Sequence, residues 1–183
     1  MAVDEKGHLR FLSAEFGSDG VNTDPRAGGH NGYHARVIKH ILWLAWLGDQ
    51  EAMDTYLNWV EGWMQAALEE KDGKPSGMPS HTLWYTSGDM YLPVDAPLWD
   101  TRWNHFGDMG GMVQDSFLSA AFVSGQHRFL EPFLRMMELA TKGPLLGGNL
   151  AHGTPERIWM DLVHQASASR ASVYRLLTGE QVF

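Results

Sequence analysis

From Asp49 to Glu70 the apolar residues Ala52, Met53, Tyr56, Leu57, Val60, Trp63, Met64, Ala67 and Leu68 recur every three to four positions, with polar residues between them. That spacing predicts an amphipathic helix with one buried face. A second stripe, from Phe129 through Phe133, Leu134, Met136 and Met137 to Ala140, is opposed by Glu131, Arg135 and Glu138 and predicts a similar helix over Phe129–Thr141. Other segments are apolar nearly all round: Val37–Leu47, Met112–Val123 and part of Ile158–Leu177. A helix apolar on every side is expected to be buried on every side. Trp43, Trp46, Trp59 and Trp63 stand at helical spacing on these faces and read as core, not as site residues.

The two kinds of segment alternate around a weak repeat. Ile41–Leu47 closes on Gly48-Asp49, Phe117–Val123 on Ser124-Gly125-Gln126, and Val173–Leu177 on Thr178-Gly179-Glu180. The glycines are 77 and 54 residues apart. Each glycine suits the position after a helix, and the polar residue after it can cap the next helix. The pattern is buried helix, tight turn, amphipathic helix, long connection, which predicts an all-α protein of stacked hairpins. The short turns then lie at one end. The connections Gly17–Gly32, Lys71–Gly111 and Lys142–Pro155 lie at the other. Residues 1–32 read as a loop with a short strand near Leu9, Phe11 and Leu12, and residues 33–183 as the hairpin domain.

From Gly32 onward this organisation resembles the α/α toroid shared by many glycoside hydrolases and polysaccharide lyases. The x-Gly-[Asp/Gln/Glu]-x-x-Phe turn is similar to the Thr-Gly-Asp turns between inner and outer helices of those enzymes. The resemblance implies a substrate cleft at the long-connection end. A typical ring of that kind has about six hairpins, and two and a half are legible here. The expectation is therefore an incomplete (α/α)n toroid, either truncated at its C-terminus or self-associating to cover its exposed core. An ordinary helical bundle or solenoid would give the same alternation with fewer long loops.

Composition narrows the function. The chain carries 14 Lys+Arg against 22 Asp+Glu, a net charge of −8, which argues against nucleic acid and against an anionic membrane surface as partners. It has no cysteine, so disulfides, thiolate metal sites and cysteine nucleophiles are excluded. No signal peptide is legible in Met1–Phe16, and Ile41–Leu47 is too short to span a bilayer. Localisation is left open between cytoplasmic and, through the resemblance, periplasmic or secreted.

The Lys71–Gly111 connection is unusually rich in aromatic and ionisable residues, and a loop of about 40 residues is usually functional or disordered. Sugars offer C–H faces to indole rings and hydroxyls to polar groups. Trp84, Trp99 and Trp103, with His81, Tyr85, Arg102 and Asn104, therefore read as a saccharide surface. The same aromatics could instead pin the loop to the helices. Glycoside hydrolysis needs one carboxylic acid and one carboxylate, and Asp100 and Asp108 are the candidate pair. Asp89 and Asp95 read as turn caps, and helix capping is the other reading of Asp108. By resemblance to uronate lyases, His105 with Tyr85 or Tyr91 would abstract and donate protons, joined by Tyr33 and His34. Few basic residues stand in that loop to hold a polyuronate.

No cofactor is expected. His81, His105, Asp108 and His152 share the proposed functional end as ligands for a divalent cation, but without His-Glu-x-x-His spacing. Asp19, Asn22 and Asp24 read as a turn. Gly110-Gly111 and Gly147-Gly148 read as flexible loop glycines before inner helices. Nucleophile-elbow, phosphate-loop and dinucleotide motifs are missing. The expected function is part of a glycoside hydrolase acting on an oligo- or polysaccharide. The alternatives are a polysaccharide (uronate) lyase and a non-catalytic helical-repeat binding module.

Overall fold

The computed structural model describes residues 1–12, 31–71, 76–77, 79, 82–84, 86–91, 109–142 and 169–180. Six helices occur among them: α1 Asn31–Val37, α2 Lys39–Trp46, α3 Gln50–Leu68, α4 Met109–Ser124, α5 Glu131–Lys142 and α6, residues 169–178. A 3-10 turn, His127–Leu130, leads into α5. Two antiparallel hairpins complete the described set. β1 Ala2–Val3 pairs with β2 Leu9–Arg10, and β3 Thr82–Leu83 pairs with β4 Met90–Tyr91. The protein is thus mostly helical, in line with the all-α expectation.

The glycine turns form as their sequence predicts. Gly48, Gly125 and Gly179 adopt φ of 95°, 67° and 75°, where a side chain would be strained. At the first turn Gly48 N donates to Ala45 O and Asp49 N to Leu44 O, and the Asp49 carboxylate then accepts from Ala52 N at 2.9 Å. One residue thus closes α2 and caps α3, a contribution of about 1 kcal/mol.

The other two turns share a device. Ser124 Oγ donates to Ala120 O and accepts from Gln126 N; Thr178 Oγ1 donates to Tyr174 O and accepts from Glu180 N. In both, the glycine N–H returns to the carbonyl four residues back. The repeat read from the sequence is therefore a repeat of hydrogen bonds.

Tyr56 lies eight residues after Gly48 and Ser116 nine before Gly125, and Tyr56 OH donates to Ser116 O at 2.9 Å. That bond ties α3 to α4 inside the core, and Arg128 at the start of the following 3-10 turn pairs with Glu61 of α3. α2 and α4 share a groove between Trp43–Trp46 and Ser119–Val123, and α4 and α6 share one between Asp115–Phe122 and Arg170–Val173.

Between the helices lies a core of Ile38, Tyr56, Trp59, Trp63, Phe117, Phe129, Phe133 and Met136, closed at its edge by Leu83 and Tyr174. Phe133 and Tyr174 stack with centroids 5.7 Å apart. Burial of large apolar side chains at about 1.5–3 kcal/mol each outweighs any contribution from the two-residue strands.

Three expectations need correction. Val37–Leu47 was read as one helix buried on all sides. It is two segments meeting at Ile38, which keeps helical dihedrals, and Trp43 and Trp46 are 60% and 55% exposed. α3 and α4 cover only part of the circumference of α2, and no other described element packs on its remaining side. The all-apolar α4 likewise leaves Phe122 exposed. Gly110-Gly111 is not a loop but the first turn of α4, where a Cβ on Gly111 would lie 3.0 Å from Arg170 Cζ. The missing side chain makes room for the guanidinium, whose Nε donates to Asp115 Oδ1 at 2.7 Å.

Candidate functional site

The β1–β2 hairpin folds over α3 at Asn58 and Gly62 and holds a buried ion pair there. Asp4 Oδ1 accepts from Lys6 N at 2.9 Å and His8 N at 2.8 Å, while Oδ2 accepts from Arg10 Nε at 2.7 Å. The side chains of Asp4 and Arg10 are 0% and 4% exposed. Gly7, with φ of 86°, turns the hairpin between them.

Two glycines make room for this pair. A Cβ on Gly62, inside α3, would fall 2.6 Å from Arg10 Nη2, and a Cβ on Gly88 would collide with the Asp4 carboxylate. A mid-helix glycine costs about 1 kcal/mol relative to alanine, so its place here is explained by the guanidinium lying on it. Asn58 adds a second tie, accepting from Leu9 N at 2.6 Å and donating to Gly7 O at 3.2 Å.

The same hairpin grips the β3–β4 connection. Glu5 N donates to Thr86 O at 2.8 Å, and the Lys6 ammonium reaches Asp89 Oδ1 at 2.9 Å. Gly88 N donates to Trp84 O, closing a turn that leaves Trp84 half-buried at its base. Asp89, read as a turn cap, is thus also a partner of Lys6, which holds its carboxyl below the usual range.

Electrostatics follow from burial. Burial alone would raise the Asp4 carboxyl, but the His8 N–H and the Arg10 guanidinium outweigh it and hold Asp4 below the usual range. Burial and the Arg10 charge push the His8 imidazole below its ordinary value. Burial also lowers the Arg10 guanidinium, against the pull of Asp4, although it stays charged at any ordinary pH. Among the described residues Arg10 Nη1 and His8 Nδ1 have no hydrogen-bond partner. A group this enclosed cannot meet a substrate. Its chemistry is to fix the position of the segment that carries Trp84.

Of the residues expected to form a site, the structure describes four, of which Tyr91 ends β4 opposite Thr82. His34 is buried on α1 with its ring 4.9 Å from Phe11, Tyr33 precedes it in that helix, and Trp84 sits at the end of β3. His34 and Trp84 thus both flank segments tied to the N-terminal hairpin. His81, Tyr85, Trp99, Asp100, Arg102, Trp103, Asn104, His105 and Asp108 lie outside the described residues, as does His152 of the cation set. Among the described residues no group of three His, Asp or Glu is placed to hold a metal. No helix among them is long and apolar enough to cross a membrane. The Asp4–His8–Arg10 cluster was not anticipated. Its only sequence signal is an Asp-x-Lys-Gly-His-x-Arg run in which a glycine turn brings both flanks together.

Comparison with protein families, with curated proteins and with solved structures finds no match to this chain.

Proposed function

We propose that this chain is an arc of an α/α toroid and processes carbohydrate, as part of a glycoside hydrolase. The observation that supports the reading is the recurring glycine turn at Gly48, Gly125 and Gly179. In this reading Gly48 and Gly125 each join an inner helix to an outer one at one end, and the long connections lie at the other. Loops held on a rigid scaffold are where binding and catalysis concentrate. The Asp4–Arg10 latch adds support, because it fixes one end of the Trp- and Asp-rich connection to α3.

In this reading Trp84, Trp99 and Trp103 stack on sugar rings, with His81, Tyr85, Arg102 and Asn104 bonding hydroxyls and Tyr33 on the adjoining helix, whereas His34, expected beside it, is too buried to touch a sugar. Asp100 and Asp108 divide the acid and base roles, and His105 orients or assists them. The test is incubation of the whole chain with neutral and uronate-containing polysaccharides, followed by assay of new reducing ends. Asp100→Asn and Asp108→Asn should each lower the rate by a factor of ~100 or more. Hydrolysis that survives both substitutions sinks the assignment. Products that absorb in the ultraviolet as unsaturated uronates, and vanish with His105→Ala, replace it with a lyase. A chain that binds sugars without cleaving them is a binding module.

A further inference from the structure

We propose that the exposed face of α2, α4 and α6 is a two-fold interface between two copies of this chain. These helices leave Trp43, Trp46, Phe122, Val173 and Leu176 exposed. Phe122 stands as a ridge between two grooves. One, about 370 Å³, lies between α2 and α4 and is lined by Leu42, Trp43, Trp46 and Val123; the other, about 310 Å³, lies between α4 and α6 against Leu118 and Val173. A ridge flanked by grooves is self-complementary. When a second copy is turned about a two-fold axis, each Phe122 enters a groove of the other.

Area favours this occupant. Aromatic side chains bury roughly 150–250 Å² each, so the three rings, each more than half exposed, present about 350 Å². With the aliphatic residues Leu47, Val173 and Leu176 the face reaches roughly 600 Å², against the ~800 Å² per partner of a standard interface. That stands at the top of the roughly 300–600 Å² range of the largest patch on an ordinary monomer.

Charge points the same way. The chain carries a net −8, yet Asp115 is the one carboxylate among the residues lining the grooves, and Arg170 already neutralises it. Lys39 also lines the α2–α4 groove, and because it is exposed its ammonium can stay in water at the rim while its stem is covered. An anionic lipid surface would repel so acidic a chain.

Sedimentation of the whole chain from micromolar to hundreds of micromolar tests the proposal. The mass should rise from 20.5 kDa to twice that value. Phe122→Glu should weaken association at least ~30-fold while the helical circular dichroism is unchanged. The chain has no cysteine, so a spin label on Phe122→Cys is specific. It should report a short distance between copies, whereas a label on Asp54→Cys, exposed on α3, should not. This second variant keeps the test intact if Phe122→Glu fails to fold. A single mass at every concentration overturns the proposal. So does a dimer indifferent to Phe122→Glu, a long distance at position 122, or capture by neutral lipid vesicles without self-association.

Discussion

Two tryptophan pairs separate the two sides of this molecule. Trp59 and Trp63 on α3 are 0% and 1% exposed, whereas Trp43 and Trp46 on α2 are 60% and 55% exposed. Both pairs have helical spacing, and both have rings within stacking range. The difference lies in what faces them. α3 meets α4 and α5 on its apolar stripe and solvent on its polar back, so its stripe is fully used. α2 has more apolar surface than its neighbours can cover. An amphipathic helix states how much of itself is to be buried; a helix apolar all round states only that more than one partner is wanted.

The most severe way to probe that contrast is Trp59→Ala. It should cost about 3–5 kcal/mol in urea unfolding, because the cavity is enclosed on all sides. Next comes Arg10→Met, which leaves the Asp4 carboxylate buried without its cation; a loss of about 3 kcal/mol is expected in the same assay. Gly62→Ala should cost roughly 1–3 kcal/mol, since the new methyl displaces the Arg10 guanidinium, and Arg10→Met should remove most of that penalty in the double variant.

Acid probes the latch without mutation. The folded Asp4 pKa is depressed, so its stabilising contribution is present above the unfolded value and lost as pH falls through the folded one. His8 is depressed too. Its unfolded form takes up a proton first, so stability starts to fall as pH drops below about 6.5. His8→Gln should abolish that first decline in a series of melting curves at graded pH, and leave the carboxylate step in place. Smallest of all is Trp43→Ala, which should change monomer stability by less than about 0.5 kcal/mol at low protein concentration. A cost near that of Trp59→Ala would show that something covers α2 after all.

The helical plan was legible because period, caps and glycines agree. The apolar stripe of α3, the Asp49 cap and Gly48 each point to the same boundary. The hydroxyl–glycine–polar turns were legible for the same reason. Exposure of Trp43, Trp46 and Phe122 was not legible, because hydrophobicity alone counts the surface that wants burial and not the surface available to bury it. The latch escaped notice for a different reason. Asp4, Lys6, His8 and Arg10 read as an ordinary polar start, and their meaning depends on Gly62 and Gly88, far along the chain. Of the expected saccharide site, Tyr33, His34, Trp84 and Tyr91 fall among the described residues, and assay of Asp100→Asn and Asp108→Asn tests its carboxylates.

The bonds from Glu5 and Lys6 to Thr86, Gly88 and Asp89 span more than eighty residues of chain. During synthesis the N-terminal hairpin emerges long before the segment it grips. It can settle on Asn58 and Gly62 once α3 is complete, but its second set of contacts must wait for the β3–β4 turn. A hairpin made well before the segment it grips is therefore among the last elements to find all its partners, and a ribosome pausing before residue 86 would hold it half docked.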